Sequence, residues 1–472
     1  MRHLHVTGDV MSAMSFDGLI HRRFDAVARQ VRERVALQAA TDTTFGQLLD
    51  GSDRIAAQLV ELGCAPPDRI AIVASDHAVV VTAMLGVLKA GCAFAPIDPI
   101  TAGPRLPGLL ARLACRVVID DRGLSIATTR PPPSASDPDA MCSIYFTSGS
   151  TGAPRAIAGR LSGIDHHIAW ELGFLGLDAS VRGAIIHPIS YDAYLPDVFV
   201  PLCAGGTACA PSGLDPERLC GWLEREQITL LHCVPSLFRS LLAVPGASRL
   251  AHLRDVLLAG EVVHPADVLT ARAVLGDRVR LVNLYGPSEA TLVKLHHVIT
   301  DADLAGPIPI GRPMPEVEVA IRDDGEIAIR SRHGALGYLD EPELTRARFL
   351  PDGTYLTGDH GSVLPDGAIA FHGRRDRQIK LLGARVDLDE VEAILRSCDG
   401  VVEAAVVVAE TALHGYVVLA PGMEIARVRT AAMGRLAPAM RLAWLTEVAQ
   451  LPRTATGKLD RRQLTDFEDH PA

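Results

Sequence analysis

Apolar residues recur at helical spacing from Phe24 to Leu37. They do so again from Thr43 to Leu62, where Thr43 or Thr44 offers a cap and Gly63 a stop. Arg69 to Ala74 is a short apolar strand, and Ala78 to Lys89 a third helix that ends near Gly91. The alternation runs on through Arg116–Ile119, which predicts a largely parallel sheet with crossover helices. Ile228 to Pro235 and Val256 to Glu261 read as buried parallel strands, the second closing on a sharp turn. Pro131 to Asp139, rich in Pro, Ser and Asp, predicts a surface loop. Beyond Arg385 the pattern changes to one helix, to Leu395, and strands near Val401–Val408 and Gly415–Leu419. The fold class is α/β: a large multi-sheet N-terminal domain followed by a small α+β C-terminal domain. A chain of 472 residues is long enough for both.

Composition narrows the partners. Hydrophobic residues make up 48%, ample for a large core, and aromatics only 4%. A net charge of -10 does not favour nucleic acid as a bulk partner. No apolar run approaches membrane-spanning length, so no membrane association is expected. Met1 to Asp25 contains Asp9, Asp17 and Asp25 and no compact apolar segment, so no signal peptide is expected. The nine cysteines are scattered without C-x-x-C spacing, as reduced core thiols of a cytoplasmic protein would be, and a zinc site is not expected.

The stretch that carries chemistry follows a β-prone run, Met141 to Phe146. It reads Thr147-Ser148-Gly149-Ser150-Thr151-Gly152-Ala153-Pro154-Arg155. Gly149 and Gly152 let the backbone turn tightly and approach an anion. The hydroxyls and free N–H groups can cradle phosphate oxygens, and Arg155 adds a fixed positive charge. It is not a Walker A loop, for no G-x-x-x-x-G-K-[ST] run occurs in the chain. A flexible Ser/Gly linker is the plainer reading, but linkers rarely follow a strand and end in Pro-Arg.

This stretch resembles the phosphate loop of the adenylate-forming superfamily: acyl-CoA synthetases, luciferases and the amino-acid adenylation domains of nonribosomal peptide synthetases. Further segments carry the resemblance across roughly Phe24 to Leu464. Leu88 to Pro99 matches LKAGxAYxPIDP, a helix stop, buried strand and turn. Asn283 to Thr291 matches NxYGPTEAT, with Ser288 for Thr. Tyr355 to Asp359 matches the seventh core motif, Gly373 to Lys380 the hinge motif, and Leu451 to Arg461 the tenth, LPxTxxGKxDR. The resemblance implies a large domain over residues 1–373, a hinge at 374–377 with Asp376 as pivot, and a small mobile domain over 378–472. It implies ATP and Mg²⁺ as cofactors. Thr147, Ser148, Gly149, Ser150, Thr151, Gly152 and Arg155 would hold phosphate, with Gly260, Glu261, Asn283 and Gly286 around the nucleotide. Tyr285 would pack on adenine, Ser288 or Thr291 would touch phosphate or acyl carboxylate, and Asp359 would hold both ribose hydroxyls. Arg374 would contact the nucleotide, although Arg375, Arg377, Lys380 and Arg385 fit a solvated strand face equally well. Glu289 would hold Mg²⁺, which favours a single carboxylate plus phosphate oxygens. Lys458 would be the catalytic lysine, with Glu289 and Thr147 also in the catalytic set, and Gly383 would line a thiol channel.

Asp192 follows a strand-like Ala184–Ile189 and precedes a helix, Leu195 to Cys203. Alone it is an N-cap candidate. By resemblance it pairs with a substrate α-ammonium, which needs a carboxylate once taken out of water. The substrate pocket implied in the same way is Asp192, Ala193, Pro196, His232, Leu257, Ala259, Leu284, Leu292 and Val293. Beyond Asp192 it is apolar apart from His232, so an uncharged amino acid is expected, aliphatic or small and hydroxylated. The chain is thus read as an AMP-forming ligase of nonribosomal peptide or antibiotic biosynthesis. It would make an aminoacyl-adenylate and pass the aminoacyl group to the phosphopantetheine thiol of a separate peptidyl carrier protein. No Leu-Gly-Gly-x-Ser carrier segment follows, so a stand-alone enzyme is expected. An acyl-CoA synthetase using free CoA keeps every motif but needs no ammonium partner. A silent homologue would not need Glu289, Asp359 and Lys458 intact.

Overall fold

The computed structural model describes residues 4–7, 19–126, 141–147, 154–211, 215–374, 378–381, 383–409, 412–452 and 463–464. The chain divides into two compact units. The larger takes Met1–Ile100, Gly108–Phe146 and Ala156–Arg375; the smaller takes Thr101–Pro107, Thr147–Arg155 and Asp376–Ala472.

Among the described residues the larger unit is built on sheets of nine, seven and five strands. The nine-stranded sheet has a parallel centre, as its near-continuous Val, Leu and Ala runs require. Asp255–Ala259 lies between Leu230–Cys233 and Arg280–Tyr285, in a register that pairs His232 with Leu257 and Ala259 with Leu284. The seven-stranded sheet places Met141–Thr147 between Ala93–Ile97 and Arg155–Arg160. The five-stranded sheet is antiparallel and ends on Thr354–Val363 and Ile369–Arg374.

Local signals fix several boundaries. Thr44 caps the helix Phe45–Glu61 through a capping box with Gln47. Gly63, at φ 72, ends that turn in the left-handed region. The first helix is a correction. It spans Ile20–Gln30 rather than reaching Leu37, and Val35–Gln38 is a strand. Leu37 and Gln38 pair with Ala208 and Cys209, and tertiary pairing of Val and Leu overrides the helical spacing there. Phe24, Phe45, Val80, Met84, Phe94 and Phe199 form part of one continuous core.

In the smaller unit, Gln378–Leu381 and Ala384–Asp387 form a hairpin that turns through Gly383, at φ 81. Asp387 caps the helix Leu388–Arg396, which packs Val391 and Leu395 on a sheet of Val401–Ala409, Ala412–Leu419 and Leu442–Glu447. All nine cysteines are unpaired thiols, all but Cys203 buried. Among the described residues no helix is long and apolar enough to cross a membrane.

Candidate active site

The site grows from the turn after the strand Arg280–Tyr285. At Gly286 a Cβ would stand 2.3 Å from the Leu292 carbonyl oxygen, so only glycine allows the chain to fold back on itself. Thr291 and Leu292 then sit at φ 58 and 60, in the left-handed region. That conformation is costly for a β-branched residue, and such strain gathers at functional sites. The turn faces Ser288, Thr291 and Leu292 into a narrow cleft. Asp192 and Leu195, at the start of the helix Tyr194–Ala204, stand on the same cleft, with Ser143 and Tyr145 of the strand Met141–Thr147. The N-cap of that helix is Ala193, so the capping reading of Asp192 does not describe it.

Glu289 is buried within the turn, 1% exposed, and its Oε1 accepts a 2.9 Å hydrogen bond from the Tyr338 hydroxyl. Among the described residues no group of three His, Cys, Asp or Glu side chains could cage a metal. One buried carboxylate, aimed by a neutral donor, suits Mg²⁺, which takes its remaining ligands from phosphate and water.

A second cluster surrounds Asp359, which is 5% exposed. Its Oδ2 accepts from the Tyr285 hydroxyl at 2.5 Å and its Oδ1 from Arg374 Nη1 at 2.6 Å. Burial and the Asp359 charge both push the Tyr285 phenol up, so it remains a donor. The Tyr285 ring lies 6.2 Å from Phe371, an aromatic neighbour that sequence reading did not single out.

Other positions are committed locally. Asn283 donates to the Pro309 carbonyl at 2.7 Å. Glu261, after a left-handed Gly260, accepts from the backbone and hydroxyl of Ser236, both at 2.9 Å. Thr147 closes its strand with a buried hydroxyl that has no hydrogen-bond partner among the described residues. Arg155 opens the next strand. Ser148, Gly149, Ser150, Thr151, Gly152, Asp376 and Lys458 lie outside the described residues.

The apolar pocket positions divide. Leu292 reaches the cleft, whereas His232, Leu257, Leu284 and Pro196 are packed as core, and Ala193, Ala259 and Val293 are half-buried. His232 requires a correction. Read from sequence as a group able to hydrogen-bond a substrate, it is already engaged on both sides. Its Nε2 lies 2.7 Å from Glu171 Oε1 and its Nδ1 3.1 Å from Asp197 Oδ1. Burial alone would lower its pKa, but Glu171 and Asp197 outweigh burial and hold it up at about 10. Burial likewise works against ionised Glu171, yet His232 and His167 bring it down to about 2. Asp197 is also held low: burial opposes ionisation, and His187, 3.0 Å from Oδ2, with His232 overcomes it. The backbone N–H groups of Ile186 and His187 donate to the same Oδ2, each at 3.0 Å. Sequence reading missed Glu171 and Asp197. Their signal was charge inside apolar helices: Asp165, His166, His167 and Glu171 are all buried on Leu161–Leu175.

Comparison with known proteins bears on this geometry. The family model described as AMP-binding enzyme matches residues 24–339, and that described as AMP-binding enzyme C-terminal domain matches residues 390–458. Tyrocidine synthase 3 of Brevibacillus parabrevis is 30% identical over 91% of this chain, which spans 7% of that protein. Phosphinothricin tripeptide synthetase PhsB of Streptomyces viridochromogenes is 31% identical over 94% of this chain, which spans 41% of it. Among solved structures, holo-PA1221, an NRPS protein containing adenylation and PCP domains bound to a vinylsulfonamide inhibitor, superposes with a TM-score of 0.84. It is 28% identical over 95% of this chain and 84% of its own.

Proposed function

The chain belongs to the AMP-binding enzymes, and from that premise we propose that it activates an uncharged amino acid with ATP. The observation that carries this is the Asp192 carboxylate on the same cleft as the Ser288–Leu292 turn. A buried ammonium needs such a partner, and a fatty or aryl acid does not. With His232 committed to Glu171 and Asp197, no ring nitrogen is left to read a side chain.

The substrate carboxylate attacks the α-phosphorus of ATP. The bond to the bridging oxygen breaks, and diphosphate leaves. Glu289 would hold Mg²⁺, which would supply positive charge against the phosphates. Asp359 accepts the ribose hydroxyls in place of Tyr285 or Arg374, and Tyr285 lies against adenine. Ser288 and the hydroxyls of the Thr147–Thr151 loop orient phosphate oxygens. Lys458 stabilises charge as the new bond forms. In a second step a phosphopantetheine thiol loses its proton, attacks the acyl carbonyl and releases AMP. A hinge at Asp376 would let one site serve both steps, with Gly383 on the thiol path. A carrier protein as acceptor is supported by holo-PA1221, which contains adenylation and PCP domains.

ATP–diphosphate exchange over a panel of amino acids and their counterparts lacking the amino group tests the reading. Exchange with an uncharged amino acid such as alanine, valine or serine, and none with acetate, propionate or isovalerate, is expected. Exchange driven only by acids without an amino group would refute the role of Asp192. Lys458→Ala should abolish exchange and leave ATP binding, followed by calorimetry, largely intact.

A further inference from the structure

Tyr145 stands on the cleft with Asp192 and is 6% exposed. Its ring packs edge-on against Phe94, with centroids 6.4 Å apart. Its hydroxyl is buried and has no hydrogen-bond partner among the described residues. The Thr291 hydroxyl, on the same cleft, is in the same condition. Leaving a buried hydroxyl unpaired is costly, and a phenylalanine would fill this place without that cost. Two such groups on the cleft that holds Asp192 are groups awaiting a ligand.

We propose that the Tyr145 hydroxyl is a substrate-binding group that works beside Asp192 to recognise the α-amino acid head. This rests on the amino-acid reading above. An ammonium carries three N–H donors, more than one carboxylate commonly satisfies, and a phenolic oxygen accepts another. The phenol also has its own proton to donate. An α-amino acid presents a carboxylate one carbon from its ammonium, so one hydroxyl can accept from the first group and donate to the second. Burial and the nearby Asp192 charge both keep the phenol protonated, as this role needs. Along its strand, Tyr145 lies between Ser143, also on the cleft, and Thr147, which opens the phosphate loop. A hydroxyl there would address the α-ammonium and carboxylate that every amino acid shares. The residue therefore selects for the amino group rather than for the side chain.

The test is Tyr145→Phe in the full chain, which removes one oxygen and keeps the ring. In ATP–diphosphate exchange the KM for the amino acid should rise about 10-fold or more, the size of a hydrogen bond to a charged group. The KM for ATP should not change, and alanine and serine should lose equally. Thermal stability should be unchanged or slightly higher, because no partner is lost. An amino-acid KM within twofold of wild type would overturn the assignment. So would a loss confined to serine, a loss in the KM for ATP, or a lower melting temperature. A wild-type chain inert towards every amino acid would overturn the functional reading as well. An active wild type with an unaltered variant would overturn this inference alone.

Discussion

Two sets of buried polar side chains lie within the larger unit, and they are built in opposite ways. Around His232 every charge faces an opposite charge: Glu171 and Asp197 on the imidazole, and His187 on Asp197. On the cleft, the Tyr145 and Thr291 hydroxyls face no partner among the described residues. One helix serves both, with Leu195 on the cleft and Asp197 in the charge cluster. A compensated buried charge stabilises its surroundings only while its partners remain. An uncompensated buried hydroxyl destabilises the empty protein slightly and returns that energy when a ligand arrives. The first set should therefore report on folding and the second on substrate.

The largest expected effect is at Glu171. Its removal leaves Asp197 as the single carboxylate on buried His232 and takes the partner of His167 away, and breaking a buried pair from one side costs about 3–5 kcal/mol. Glu171→Ala should shift the urea midpoint accordingly, and any loss of exchange should follow the loss of folded protein. A variant that unfolds normally but no longer exchanges would place this cluster in the binding machinery instead. Asp192→Asn should do the reverse. About 100-fold slower exchange is expected, from loss of a hydrogen-bonded charge worth up to about 3 kcal/mol, with little change in the unfolding midpoint.

The cluster around Asp359 is intermediate. It is compensated like the first set, by Tyr285 and Arg374, yet its partners come from the turn and from the end of the strand Ile369–Arg374. If the carboxylate exchanges these partners for ribose hydroxyls, Asp359→Asn should raise the KM for ATP about 10-fold. The KM for the amino acid should stay close to wild type. An equal rise in both would remove the nucleotide-specific role.

Much of this site was legible in the sequence because its parts are contiguous. The turn Tyr285–Thr291 and its glycine are written in one run, and so are the strands that carry it. What could not be read is pairing across distance. His232, on a strand, meets Glu171 and Asp197 from two separate helices, and only the fold tells a committed imidazole from an available one. Tyr145 sits in a β-prone run where an aromatic needs no special reason, and its unpaired hydroxyl emerges only once Phe94 and Asp192 surround it. The first helix was misjudged for a related reason. Val35 to Gln38 has helical spacing, but its pairing partner Ala208 lies far along the chain.

The smallest expected effect is a flatness, and it sets the saturated cluster against a second buried charge. Lys294 is fully buried, its Nζ donates to the Thr291 carbonyl at 2.7 Å, and burial brings it down to about 7. It faces His166, His167 and His333, whose own pKa values are lowered, by burial first and by Lys294 among other causes. His232 is raised in the folded chain, so its stabilisation is complete below about 6.5 and declines as pH rises towards about 10. Lys294 is depressed, so its destabilisation is complete below about 7 and is relieved as pH rises towards about 10.5. Between pH 7 and 9 the two slopes oppose, each about 1.4 kcal/mol per pH unit at most. Above that range the thiols of Cys92, Cys142, Cys203 and Cys209, raised by desolvation to about 12, begin to contribute. Wild-type stability, measured by urea unfolding, should change little from pH 7 to 9. Lys294→Met should be the more stable chain at pH 7 and should lose that advantage steadily towards pH 9, because only the His232 slope remains. A variant as flat as wild type would mean that His232 is not held as a cation, and the contrast between a saturated cluster and an open cleft would lose its first half.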